Sequence, residues 1–243
     1  MFELTISCNI DKQAYISQIY KKLSPEIKSA SGLAVKQNYQ GRSHFSIAVK
    51  DHEKDYFKSK IIDHIVFMII DDYKYNFFKE KLNFTDNNII FQSFLRAIAI
   101  FDSDIDREYI IKQIDFSGSE ILVDSLYYFK LQELRRRWQK TADIIFLNQI
   151  TKNPSSMIEV LKYLTTMSIS TVSQADVVIS KKGLKLKNTD TSKNYKNNFS
   201  GISSFLSEII EMNPAKINIE VADDSDGEIV DVLSKIFYDK INF

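Results

Sequence analysis

Along the first residues, apolar Phe2, Leu4 and Ile6 alternate with polar neighbours, the period of a half-buried strand. From Asp11 the spacing widens to Tyr15, Ile19 and Leu23, which predicts a helix. Gly32 to Tyr39 and His44 to Lys50 flank a turn at Gly41-Arg42 and predict an antiparallel pair of strands. Between about Lys54 and Leu82 the positions Phe57, Ile61, Ile65, Met68, Ile69, Tyr73 and Phe77 recur at helical steps, and Val66 and Ile70 widen the stripe. One long buried helix is expected there. Shorter helices are expected from Asp86 to about Ile100 and from Asp106 to Ile114, before a turn at Gly118.

Steps of three and four then join Tyr127, Leu131, Leu134, Trp138, Ala142 and Ile145 into one stripe, predicting a long amphipathic helix between Val123 and Asn148. Asn153-Pro154 starts the next helix, through Met157, Leu161 and Leu164, because proline suits a first helical turn. Asp176–Ser180 and Leu184–Lys187 alternate around Lys181-Lys182-Gly183, a hairpin signal. The polar run Asn188 to Asn198 reads as a surface loop. A helix from Ser200 to Met212, a strand from Lys216 to Val221, a helix from Gly227 to Tyr238 and a short last strand complete the chain, and strand, helix, strand in that order predicts a parallel crossover. The fold class is therefore α+β. It divides along the sequence into a strand–helix–strand unit at 1–50, a helical region at 54–170, and a hairpin with a βαβ-like unit at 171–243.

Composition supports an ordered chain: 243 residues at 44% hydrophobic content can bury sizeable cores, and 12% aromatics argue against disorder. With 32 basic and 32 acidic residues no overall field steers the molecule to nucleic acid or an anionic membrane, so such a role would need a local patch. Cys8 is the only cysteine, which excludes an internal disulfide and fits a reducing compartment. The first residues lack a signal-peptide pattern, and the longest apolar runs, Ile65 to Ile70 and Ala97 to Phe101, fall far short of the roughly 20 residues a spanning helix needs. A cytoplasmic location is expected.

The six glycines show neither G-x-x-x-x-G-K nor G-x-G-x-x-G spacing, and no G-x-S-x-G or H-E-x-x-H occurs, so the common phosphate-loop, serine-hydrolase and zinc-protease chemistries are not signalled. His44, His52 and His64 fall on different predicted elements and read as ordinary hydrogen-bonding residues. Asp102, Asp104 and Asp106 open like a calcium loop, but Arg107 and Gln113 occupy the positions that need glycine and a bidentate acid. Acidic capping of the helix from Asp106 is the expected role. Asp223, Asp224 and Asp226, with Glu228, follow a strand and precede a helix, where carboxylates either cap the helix or hold a magnesium ion against a phosphate. Lys130, Arg135, Arg136, Arg137 and Lys140 form the densest basic run, with half of the chain's arginines in one triplet. It reads either as a solvated helix face, Glu133 pairing with Arg137 across one turn, or as a site for nucleic-acid phosphates or an acidic partner.

Two segments together resemble the YtxC-like sporulation proteins of endospore-forming bacteria. Leu126-Tyr127-Tyr128-Phe129-Lys130-Leu131-Gln132-Glu133-Leu134 is similar to that family's run of aromatic residues, a basic residue and leucine before a long charged helix. Phe205-Leu206-Ser207-Glu208-Ile209-Ile210, followed by Asn213-Pro214-Ala215-Lys216-Ile217-Asn218-Ile219 and a closing helix with Ile236-Phe237, resembles its carboxy-terminal pattern. The likeness runs from about residue 54 onward. The chain departs from the pattern in Lys130, where arginine is common, and in having no cysteine near its end.

The resemblance implies a cytoplasmic protein connected with sporulation, without a defined chemistry. The expected function is therefore a non-enzymatic one exercised through contacts with a protein partner, with no cofactor and no catalytic residues assigned. Nucleic-acid binding through the helix at 130–140 and a magnesium-dependent enzyme with an acidic site at 223–228 are the alternatives, and self-association is left open by the neutral charge.

Overall fold

A computed structural model describes residues 1–83, 88–167, 170–181, 183–191, 194–197, 199, 201–222 and 227–242. In chain order the elements are β1 (Phe2–Asn9), α1 (Gln13–Ser29), β2 (Leu33–Tyr39), β3 (Arg42–Val49), α2 (Lys54–Met68), α3 (Tyr75–Lys81), α4 (Ile89–Phe101), α5 (Ser103–Gln113), β4 (Glu120–Leu122), α6 (Val123–Ser125) and α7 (Gln132–Leu147). They continue as α8 (Pro154–Met167), β5 (Val172–Ser180), β6 (Gly183–Asn188), α9 (Ile202–Met212), β7 (Pro214–Val221), α10 (Gly227–Ile236) and β8 (Ile241–Asn242). The fold is α+β, with two mixed four-stranded sheets. Among the described residues no helix is long and apolar enough to cross a membrane. The chain folds into two compact units, the first formed by Met1–Asn76 and Ser103–Lys140, the second by Phe77–Asp102 and Thr141–Phe243.

The sheet of the first unit has the order β2-β3-β1-β4. Strand β3 is antiparallel to both β1 and β2, so these two run the same way with β3 inserted between them, a split β-α-β arrangement around α1. Strand β4 adds to β1 in parallel. Period-two alternation sends Leu4, Ile6, Cys8, Phe45, Ile47 and Val49 to the buried face. Helix α1 buries Ile16, Ile19, Leu23 and Ile27. Tyr15, expected on this stripe, instead turns its hydroxyl to Asp71 Oδ2 at 2.6 Å. The hairpin between β2 and β3 turns at Gln40 and Gly41, both left-handed, and glycine takes that conformation without steric cost.

Two expected helices are interrupted. The stretch from Lys54 to Lys81 passes through a π-helical segment at Ile69–Lys74. The wider turn brings Lys74 inward together with Ile69 and Tyr73, a position that a strictly α-helical stripe left polar. Between Val123 and Asn148, a second π-helical segment at Leu126–Lys130 ends at Leu131 before α7 begins. All six apolar stripe positions of that region, Tyr127 to Ile145, are nevertheless buried. Helix α5 begins at Ser103, so Asp106 lies inside it and is buried rather than serving as an exposed cap. Its partner is a lysine, which is why a carboxylate is tolerated there.

The sheet of the second unit has the order β6-β5-β7-β8, with β5 antiparallel to β6 and parallel to β7. The expected crossover is present, since β7 and β8 pair in parallel on either side of α10. Phe94, Met157, Leu161, Phe205, Ile209 and Leu233 are among its fully buried side chains. Part of the expected surface loop is anchored, because Leu186 and Lys196 exchange both main-chain hydrogen bonds, at 2.9 and 2.7 Å.

Candidate functional site

The alternation that buries one face of the first unit's sheet leaves the other face open. Cross-strand register places Leu33 and Glu3 beside Ala48, Val35 and Thr5 beside Ser46, and Glu120 beside Thr5. Together they shape a shallow groove of about 570 Å³ that reaches from β2 across to β4. Its β2 side is apolar, with Leu33 63% and Val35 41% exposed, whereas its β1 and β4 side carries the exposed carboxylates of Glu3 and Glu120. The floor is polar but satisfied, since Thr5 Oγ1 and Ser46 Oγ lie 2.9 Å apart and share a hydrogen bond.

One end of this face is closed by a chain of charged and polar groups. Asp124 lies two residues past the end of β4, within α6, and stands beside the last residues of the parallel strand β1, the carboxyl-end position where open sheets with parallel strands collect polar groups. Its carboxylate accepts hydrogen bonds from Tyr73 Oη at 2.6 Å, Arg42 Nη2 at 2.9 Å and the Asn9 amide at 3.0 Å. The Arg42 guanidinium also donates to Ser7 Oγ through Nη2 at 3.3 Å. Ser7 in turn donates to Glu120 Oε1 at 3.0 Å, and His44 Nδ1 lies 3.7 Å from the same oxygen. Arg42 and Asp124 therefore neutralise each other, and among the described residues Glu120 faces the Ser7 hydroxyl and a histidine.

Behind this chain the groups are buried or half-buried. The Tyr73 hydroxyl is held well above its usual range, first by burial and then by its bond to Asp124. Burial, aided by Asp124, pushes the Cys8 thiol up to about 12, so Cys8 is a neutral hydrophobe and not a nucleophile. Burial pulls the Lys12 ammonium down, but Asp72 and then Asp11 outweigh it and leave it above its ordinary value. Lys74 Nζ sits 2.6 Å from Asp106 Oδ2, and Trp138 Nε1 donates to the same oxygen at 3.1 Å. Tyr127 links the two π-helical segments, with its ring 4.6 Å from Tyr73 and 6.4 Å from Trp138.

No protein family, curated protein or solved structure matches the chain. Assignment therefore rests on its own geometry.

The basic residues singled out in the sequence do not form one cluster. Successive positions on a helix point about 100° apart, and the triplet disperses accordingly. Arg135 lies over the rings of Tyr127 and Tyr128, at 4.9 and 5.5 Å, with its buried Nε unpaired. Arg136 pairs with Glu133 at 3.4 Å, one residue earlier than the Glu133–Arg137 spacing anticipated, and Arg137 lies over Tyr109 at 5.4 Å. Lys130 and Lys140 are exposed. Asp223, Asp224 and Asp226 lie outside the described residues. The three histidines stand apart, on β3, before α2 and within α2. Among the described residues no group of three or more histidine, cysteine or acidic side chains could hold a metal ion.

Asp124, Arg42, Ser7 and Glu120 were not anticipated. Asp124 carried the same signal as Asp223, an acid two residues past a strand, but Glu120–Leu122 is too short a run for alternation to reveal the strand before it.

Proposed function

We propose that this chain acts by binding another protein rather than by turning over a substrate, and that it does so during sporulation, the context its resemblance to the YtxC-like family implies. The open sheet face carries the reading. Two large aliphatic side chains stand exposed on an ordered sheet, beside the exposed carboxylates of Glu3 and Glu120, where a solvated face would be expected to alternate to polar residues throughout. The buried and half-buried ionisable groups at and behind the end of this face support the same reading. Arg42 with Asp124, Lys12 with Asp72 and Lys74 with Asp106 are each matched by opposite charge, which suits a rigid platform. A cytoplasmic location belongs to the same proposal.

Deleting the gene should lower the yield of heat-resistant spores, and a chromosomal Leu33→Asp/Val35→Asp variant should reproduce much of that loss while its product accumulates and folds normally. Wild-type spore yield from both strains would overturn the proposal.

A further inference from the structure

We propose that the open face of the first unit's sheet receives an amphipathic helix of a partner protein, apolar along one side and rich in lysine or arginine beside it; this rests on the interaction role proposed above and names its occupant. The first argument is dimensional. Four strands about 4.8 Å apart span roughly 14 Å between the outer two, enough to seat one helix of about 10 Å diameter. Helix on sheet is one of the stable layer packings, and α1 already covers the opposite face, so a second helix would complete a three-layer sandwich.

The second argument is chemical and divides the groove lengthwise. Leu33, Val35 and Ala48 offer an apolar strip on the β2 side, whereas Glu3 and Glu120 line the far side, and among the described residues no lysine or arginine lines the groove. Lys36, the one cation on β2, points to the other face and donates to Ser17 Oγ at 2.6 Å. Arg42 is committed to Asp124. A helix with an apolar stripe flanked by basic side chains matches both halves in a single orientation. The Thr5–Ser46 hydrogen bond pairs the two hydroxyls of the floor with each other, which lowers the cost of covering them. The same carboxylates repel a phosphate backbone or an anionic bilayer, which removes nucleic acid and membrane as occupants of this face.

The full chain should be titrated into two fluorescein-labelled 18-residue helices, one built of leucine and lysine, the other of leucine and glutamate, with anisotropy as the readout. The leucine–lysine helix should bind at least tenfold more tightly. Glu3→Lys/Glu120→Lys should reverse that preference, and Leu33→Asp/Val35→Asp should weaken both helices. Glu3→Lys alone, at an exposed position whose side chain makes none of the hydrogen bonds described above, should lower leucine–lysine affinity several-fold while the protein's circular dichroism and melting temperature stay close to the parent's. Equal binding of the two helices, binding indifferent to these substitutions, or no binding would overturn the proposal. So would concentration-dependent self-association lost on Glu3→Lys, which would give the face to a second copy of the chain. If neither helix binds while Leu33→Asp/Val35→Asp still lowers spore yield, the interaction role stands and the helical occupant falls.

Discussion

Cys8 shows how far a single side chain's setting departs from what its identity suggests. It lies on the buried face of β1, and its thiol donates weakly to the Lys12 carbonyl at 3.7 Å. With the thiol raised from 9.0 to about 12, folded and unfolded chains are both protonated below pH 9, and the native advantage is intact. Between pH 9 and 12 only the unfolded chain releases the proton, so stability falls as pH rises through that window. Replacing Cys8 with alanine should remove this part of the alkaline loss. The unfolding free energy from urea titrations should therefore fall less between pH 8 and pH 10.5 in Cys8→Ala than in the parent, by about 1 kcal/mol after allowance for local relaxation. Equal falls would show that the thiol ionises freely in the folded protein. The cysteine's burial was legible from an apolar-alternating strand, but the acid and cation that surround it were not. Asp124 and Arg42 reach it from residues far along the chain, and no local period records such a meeting.

At the scale of elements, the clearest signals were the long ones. The stripes of α2 and α7, the β5–β6 hairpin and the β7–α10–β8 crossover all follow from repeated spacing, because many positions vote for each. The π-helical segments and β4 were hidden for the opposite reason: an extra residue in a turn, or three residues in a strand, is too brief to alter a period. The α1–β2 connection shows another feature that spacing cannot express. Gly32 follows left-handed Ser31 and donates its amide to the Ile27 carbonyl at 2.8 Å, packed where a Cβ would lie 2.8 Å from the Ala48 carbonyl oxygen and 2.9 Å from both Ile27 Cγ2 and Val49 Cγ1. The nearest of these is backbone paired within the sheet, which cannot yield without disturbing β3. Gly32→Ala should therefore destabilise the protein by about 1–3 kcal/mol in urea titration, through overpacking rather than through backbone conformation. A neutral result would mean that α1 can shift away from the sheet at little cost.

Over the whole molecule, zero net charge conceals a local division. An acidic, partly apolar sheet face coexists with exposed basic positions at Lys130, Arg136, Arg137 and Lys140, and a sum over the chain cancels both. The units are interleaved as well. The chain leaves the first at Asn76, returns at Ser103 and leaves again at Lys140, an exchange set by long-range contacts that no shift in composition marks. Lys74 offers a way to test how far the first unit is cooperative by itself, since its ammonium and the Asp106 carboxylate are both nearly fully buried and Trp138, the only tryptophan, shares the same oxygen. Lys74→Met keeps the bulk and removes the charge, leaving Asp106 without its counter-ion at a cost of about 3–5 kcal/mol. The Trp138 fluorescence midpoint should drop accordingly, and a second substitution, Asp106→Leu, should recover most of the loss because it removes the stranded charge. Amide hydrogen exchange along β5 and β7 reports the second unit separately. Unchanged protection there would mark two cooperative units, whereas protection falling in step with the fluorescence midpoint would mean that the whole chain unfolds as one.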